Sequence, residues 1–150
     1  MKGYTLAAGL ILATVSAMGQ ISTPKTPQQW PCLSSAADYQ TANIPVAKRN
    51  YLWTLQSEND GVVESALAHV THMRIMLPQE DMKDIEAVLN QLANSGRTPV
   101  IRYTAYLATQ VFAGPELFRG IAGTDYESVD QFFTALASRL QQTMLGYSLK

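Results

Sequence analysis

The sequence contains a single cysteine, Cys32. One cysteine cannot form a disulfide within the chain. Cys32 is expected to be a free thiol or to pair with another chain, and a buried, inert thiol is the favoured interpretation. It has no basic neighbour that would stabilise a reactive thiolate.

An excess of charge of either sign is also absent. The 150 residues carry 11 basic and 12 acidic side chains, for a formal net charge of −1. The densest basic site is the pair Lys48 and Arg49. Because binding to phosphates needs a clustered positive surface, this balance argues against a nucleic-acid partner.

Recognisable catalytic and cofactor motifs are missing. The chain has no Gly-x-Ser-x-Gly nucleophile elbow, no glycine-rich phosphate loop and no Cys-x-x-Cys-His haem signature. Two acidic pairs, at 80–81 and 125–127, lie at predicted helix starts, where favourable placement near the helix N-terminus explains them better than acid–base catalysis. The sequence therefore predicts neither an enzyme nor a cofactor.

The histidines are the remaining candidates for a metal site. His69 and His72 are the only two in the chain, and side chains three apart on one helix can share a metal ion. No further histidine is available as a third ligand, so we predict no metal site. On the predicted helix His69 falls at the edge of the apolar stripe and His72 nearly opposite it, which indicates surface histidines.

The first 19 residues have the three-part pattern of a secretory signal peptide. Lys2 supplies the basic start, residues 5–15 form an uncharged apolar run, and Ala17 and Gly19 are the small residues that the peptidase requires. We expect cleavage after Gly19, or alternatively after Ala17, and a periplasmic or secreted protein. The apolar run is shorter than the roughly 20 residues of a spanning helix, which disfavours a retained anchor, and Cys32 lies too far downstream for lipid attachment.

Residues 20–36 are predicted to form an extended N-terminal arm. Three prolines fall within residues 24–31, and proline lacks the backbone N–H and disfavours helix in the residue before it. The arm is either a disordered linker or a segment that Trp30 and Leu33 pin onto the domain, and the sequence leaves both open.

Residues 37–150 are predicted to form one all-α domain. Apolar residues recur at three- and four-residue steps, and no segment alternates apolar with polar residues as a half-buried strand would. A single turn is predicted near 36–41 and another at 115–119. The predicted helices span residues 46–57, 62–77, 79–94, 99–112 and 124–146.

Local signals predict where several helices begin. Thr98 can cap a helix that has Pro99 in its first position. Asp60 is predicted to cap the helix that follows it, and Ser95 and Gly96 are predicted to end the helix over 79–94. Thr124 and Glu127 fit the capping box that opens the last helix, in which each side chain accepts a backbone N–H of the first turn.

Two helical segments resemble each other. Residues 62–67 and 100–105 both begin with an apolar pair, lie nearly 40 residues apart and are each followed by a second helix. This spacing resembles that of HEAT-like repeats, which have two helices per unit. In that resemblance Ala66 and Ala105 are the small residues that let the partner helix pack closely. Arg102 matches an arginine frequent in such repeats, whereas the first unit has a glutamate there.

The resemblance covers about residues 46–145 and implies antiparallel helical hairpins, each resting its apolar face on the next. An irregular helical bundle is the alternative. Together with the predicted signal peptide, the HEAT-like resemblance implies an exported module that acts by protein–protein interaction. The alternative function is a small periplasmic ligand carrier or an enzyme with an unrecognised site. Such a module would have a protein partner and no integral membrane segment after signal cleavage.

One surface patch is the candidate for that interaction. Arg102, Tyr103 and Tyr106 lie together on one predicted helix, and tyrosine and arginine are favoured at interface hot spots. The same side chains could instead pack against the neighbouring helix, with Arg102 paired to an acid such as Glu64. The packing interpretation is the one we prefer.

Overall fold

A computed structural model describes residues 43–148, with side chains through residue 146. The predicted signal peptide, the N-terminal arm and Cys32 lie outside these residues. The described residues form helices joined by turns and loops and contain no strand, which confirms the all-α class. Its elements are α1 Ile44–Thr54, α2 Asp60–Met76, α3 Lys83–Ser95, α4 Pro99–Ala113, a 3₁₀ helix Pro115–Phe118, and α5 Val129–Ser148.

The core is built around α2 and α4, which pack against each other. Both helices bury a row of apolar side chains that runs along most of their length. Ala66 and Ala105, the two small residues that the repeat pattern singles out, are both buried. Each buried aliphatic side chain of leucine size contributes roughly 1.5–3 kcal/mol through its removal from water.

A tight turn joins α3 to α4, and these two helices form the most extensive helix pair of the described chain. Gly96 ends α3, as the sequence predicts. A Cβ atom at this position would lie 2.6 Å from the backbone oxygen of Leu92 and 2.8 Å from Cγ2 of Ile101. The close approach of the two helices therefore requires glycine in the turn.

The cap of α2 differs from the prediction by one residue. The side chain of Asn59, and not that of Asp60, accepts the backbone N–H of Val62 at 3.3 Å. Asp60 is instead the first helical residue, where its carboxylate accepts a hydrogen bond from Arg97 at 2.7 Å. The aspartate thus links the start of α2 to the turn between α3 and α4.

Helix α3 begins four residues later than the periodicity predicts, because the chain after Pro78 first forms a turn. Glu80 and Asp81 lie in this turn and not at the start of the helix. Nζ of Lys48 is 2.6 Å from the Glu80 carboxylate and 2.7 Å from the backbone oxygen of Asp81. The glutamate therefore pairs with a lysine of α1 and not with the helix start. The Asp81 side chain does accept the backbone N–H of Lys83, the first residue of α3, at 3.3 Å, so the helix-start explanation fits Asp81 alone.

The last helix also begins one turn later than predicted. The hydroxyl of Ser128 accepts the backbone N–H of Gln131 at 3.2 Å, and the Gln131 side-chain oxygen accepts the N–H of Glu127 at 3.0 Å. The capping pair is thus Ser128 with Gln131, and the predicted box at Thr124 and Glu127 is wrong. Residues 121–128 form a loop over the core instead.

Candidate functional site

The structure places His72 inside the protein, so the prediction of a solvent-exposed side chain is wrong. The residue is 1% exposed, and its Nε2 atom lies 3.1 Å from the carbonyl oxygen of Ala122. Its ring meets that of Phe132 edge to face, at 6.4 Å between centroids. His72 lies outside the apolar stripe of α2. The loop after the 3₁₀ helix and the start of α5 therefore cover a side of α2 that its sequence pattern marks as polar.

The second histidine is half-buried. The ring of His69 stacks on that of Tyr51 from α1, at 6.0 Å between centroids. Burial lowers the pKa of both histidines below the ordinary value of 6.5, and for His72 the hydrogen bond to Ala122 opposes this shift. Burial accordingly favours the neutral form of both rings.

A groove of about 850 Å³ runs between α4 and α5. Two other cavities, of about 230 and 270 Å³, are much smaller. The groove brings together one face of each helix, and most of its walls are apolar or aromatic. The central lining residues are Tyr103, Tyr106 and Leu107 of α4, with Phe133, Leu140 and Met144 of α5.

The start of α4 sets which of its side chains face the groove. The hydroxyl of Thr98 accepts the N–H of Ile101 at 3.1 Å, and Pro99 occupies the first turn, which confirms both predicted signals. With Ile101 turned into the core, the helical period leaves Tyr103 and Tyr106 on the outer side. They are 55% and 43% exposed, so they are not packed away as the preferred interpretation expected.

Arg102 does not share this surface. Its guanidinium donates a hydrogen bond of 2.7 Å to the backbone oxygen of Gly96, in the turn between α3 and α4. The structure therefore separates Arg102 from the two tyrosines. The expected pairing with Glu64 is replaced by this bond, which stabilises the turn.

The opposite wall of the groove belongs to α5. Near its start, the rings of Phe132 and Phe133 pack edge to face at 5.4 Å and fix the helix on the core. Further along, Leu140 is half-buried, whereas Met144 and Leu145 are each more than half exposed. The apolar repeat of α5 thus continues from the core onto the wall of the groove.

One end of the groove is acidic. Asp130 is the only charged side chain among the residues that line it. Glu64 of α2 lies close enough to interact with this carboxylate, since burial first, and then the charges of Asp130 and Asp60, raise its pKa. The groove therefore combines an apolar floor with negative potential at one end.

No other kind of site emerges from residues 43–148. Within this range no group of three or more His, Cys, Asp or Glu side chains could hold a metal ion. Its helices include none that is both long and apolar enough to cross a membrane. The chain matches no protein-family model, no curated protein and no solved structure.

Proposed function

We propose that the protein is an exported helical module that binds a protein partner in the groove between α4 and α5. The observation that carries the proposal is the pair Tyr103 and Tyr106, which are half exposed and face the apolar wall of α5. Tyrosine supplies a large rigid contact area with a polar tip, and it is enriched where partners bind most tightly.

The apolar side chains around the tyrosines support the same conclusion. Val100 at one end of the lining and Met144 and Leu145 on α5 are each at least half exposed. A single exposed apolar side chain needs no explanation, whereas a contiguous patch marks an interaction surface. A partner would bury these side chains together with both tyrosines.

The shape of the groove favours a protein or peptide over a small ligand. Sites for small molecules enclose most of the ligand surface and place several polar groups around it. Here the two tyrosines and the apolar side chains at 144–145 are open to solvent, and Asp130 is the only charged residue of the lining. A ligand carrier or an enzyme, the alternative functions, would need a more enclosed site.

Beyond the all-α class, we propose that the helical hairpins stack as in HEAT-like repeats. It is supported by the packing of α2 against α4, which are the first helices of the two predicted units. However, α3 packs more extensively against α4 than against α2, its predicted hairpin partner. The hairpin stack therefore stays a prediction.

Export is supported by the sequence of residues 1–19. Fractionation of the expressing cell, followed by intact mass measurement, tests it directly. We expect a product that begins at Gln20, outside the cytoplasm. A cytoplasmic protein that retains residues 1–19 would contradict this part of the proposal.

Site-specific photo-crosslinking in the exporting cell tests the groove. A photoreactive phenylalanine analogue at position 103 or 106 should capture one defined partner protein. The same analogue at position 117 is the matched control, because Leu117 is exposed and does not line the groove. Equal capture from positions 103 and 117, or none from either groove position, would contradict the proposal.

A further inference from the structure

We propose that the groove between α4 and α5 has an occupant within the same chain, the proline-rich segment 24–33. This inference rests on the proposed function in taking the groove as a peptide-binding surface. The segment would cover Tyr103 and Tyr106 in the absence of a partner, and a partner would have to displace it.

The chemistry of the segment fits the surface. It contains three prolines together with Trp30 and Leu33. Proline-rich peptides bind to grooves lined by aromatic side chains, because their extended backbone loses little entropy on binding. Tyr103 and Tyr106 provide such a lining, one helical turn apart.

The charges are complementary. Lys25 is the only charged residue between positions 20 and 37. Asp130 is the only charged side chain that lines the groove, and Glu64 adds to the negative potential around it. An apolar segment with one lysine thus meets an apolar groove with one aspartate.

The length of chain allows the contact. Nine residues separate Leu33 from Asn43, which caps α1 at the start of the described chain. Fully extended, they reach about 30 Å, which is comparable to the diameter of a domain of this size, whose radius of gyration is roughly 13 Å. A tether of this length holds the segment at an effective concentration on the order of 1 mM, so even a weak intrinsic affinity would suffice.

Tryptophan fluorescence of the mature chain tests the inference. The chain has two tryptophans, Trp30 and Trp53, and Trp53 is 70% exposed on α1, so Trp53→Phe leaves Trp30 as the only reporter. We expect blue-shifted emission that is protected from acrylamide. Adding Tyr103→Ala and Tyr106→Ala should return Trp30 to solvent-like emission, whereas the control Leu117→Ala should not.

Two further variants test whether Lys25 contributes to binding through the negative charge of Asp130. In the same background, Lys25→Glu should increase the quenching of Trp30, whereas Lys25→Arg should leave it protected. Solvent-like emission that none of these substitutions changes would overturn the inference. A blue shift that appears only as protein concentration rises would also overturn it, since the segment would then bind a second copy.

The outcome can be separated from that of the proposed function. If Trp30 is solvent-exposed but position 103 still captures a partner, the inference fails and the proposed function stands. If Trp30 is protected by the tyrosines but no partner is captured, even from a Trp30→Ala chain, the proposed function fails and the inference stands.

Discussion

His72 and Ala122 are linked by a contact of 3.1 Å between Nε2 of the ring and the backbone oxygen, across 50 residues of chain. Because a carbonyl oxygen only accepts, the neutral ring must carry its proton on Nε2 and donate it. The contact holds the loop before α5 against α2. The position of α5, and with it one wall of the groove, thus depends in part on a buried histidine.

The stability of the protein should fall in mild acid. Burial lowers the pKa of His72 and of His69, so the folded state binds fewer protons than the unfolded state. The stability that the two neutral histidines contribute is fully present above the unfolded pKa of about 6.5. It is lost as the pH falls from there toward the folded pKa values. Urea unfolding between neutral pH and mild acid should show a decreasing free energy of unfolding.

The variant His72→Gln isolates this effect. Glutamine can place an N–H donor near the position of Nε2 but does not titrate, so the pH dependence should become weaker and should weaken further with His69→Gln. Glu64 contributes with the opposite sign at lower pH, because its raised pKa favours the folded state on protonation. If the unaltered protein, the His72→Gln variant and the double variant lose stability equally on acidification, the histidines are not the cause.

Gly96→Ala should destabilise the protein by about 1–3 kcal/mol, the range for overpacking a closely fitted site. The new Cβ would lie 2.6 Å from a backbone oxygen that cannot move without distorting α3. Gly120→Ala is the matched control, because a Cβ there has no neighbour within 4 Å, and its effect should stay within about 0.5 kcal/mol. Chemical unfolding of the two variants gives the comparison, and equal stabilities would contradict the described turn.

Ser128→Ala should cost about 1 kcal/mol, the usual loss for an N-cap. The Ser128 hydroxyl accepts the N–H of Gln131, whereas Thr124 lies four residues before it, in the loop. Thr124→Ala should therefore change the free energy of unfolding by no more than about 0.5 kcal/mol. A larger loss from Thr124→Ala than from Ser128→Ala would contradict this cap and support the helix start at Thr124 that the sequence predicts.

Features that depend on neighbouring residues could be predicted from the sequence. The cap at Thr98, the proline after it and the glycine that ends α3 act within one helical turn, and the structure confirms all three. The existence of the four helices α2 to α5 follows equally from their apolar periods. The signal peptide and the arm lie outside the described residues and stay predictions.

Features that depend on distant residues could not be predicted. His72 looks solvent-facing on an isolated helix, but a loop 50 residues later and the start of α5 bury it. The sequence contains two capping patterns in succession, at 124–127 and at 128–131, and the helix begins at the second. Tyr126 packs on Phe132 at 5.4 Å and bonds to Ile121 through its hydroxyl, which keeps the first pattern in the loop.

The groove shows the same limit. Periodicity identifies Tyr103, Tyr106 and Met144 as apolar or aromatic positions, but it cannot tell a core face from an exposed one. That distinction depends on how α5 lies against α4. The sequence therefore identifies Arg102, Tyr103 and Tyr106 as one candidate surface, whereas only the two tyrosines line the groove.

The most direct test is a titration of the partner captured from position 103, purified, against the mature chain and its variants. Tyr103→Ala with Tyr106→Ala should weaken binding at least about tenfold, as the loss of interface hot spots does, while unfolding shows the domain intact. The control Leu117→Ala should bind like the unaltered chain. Unchanged affinity in the double variant would contradict the assignment of the groove as the binding surface.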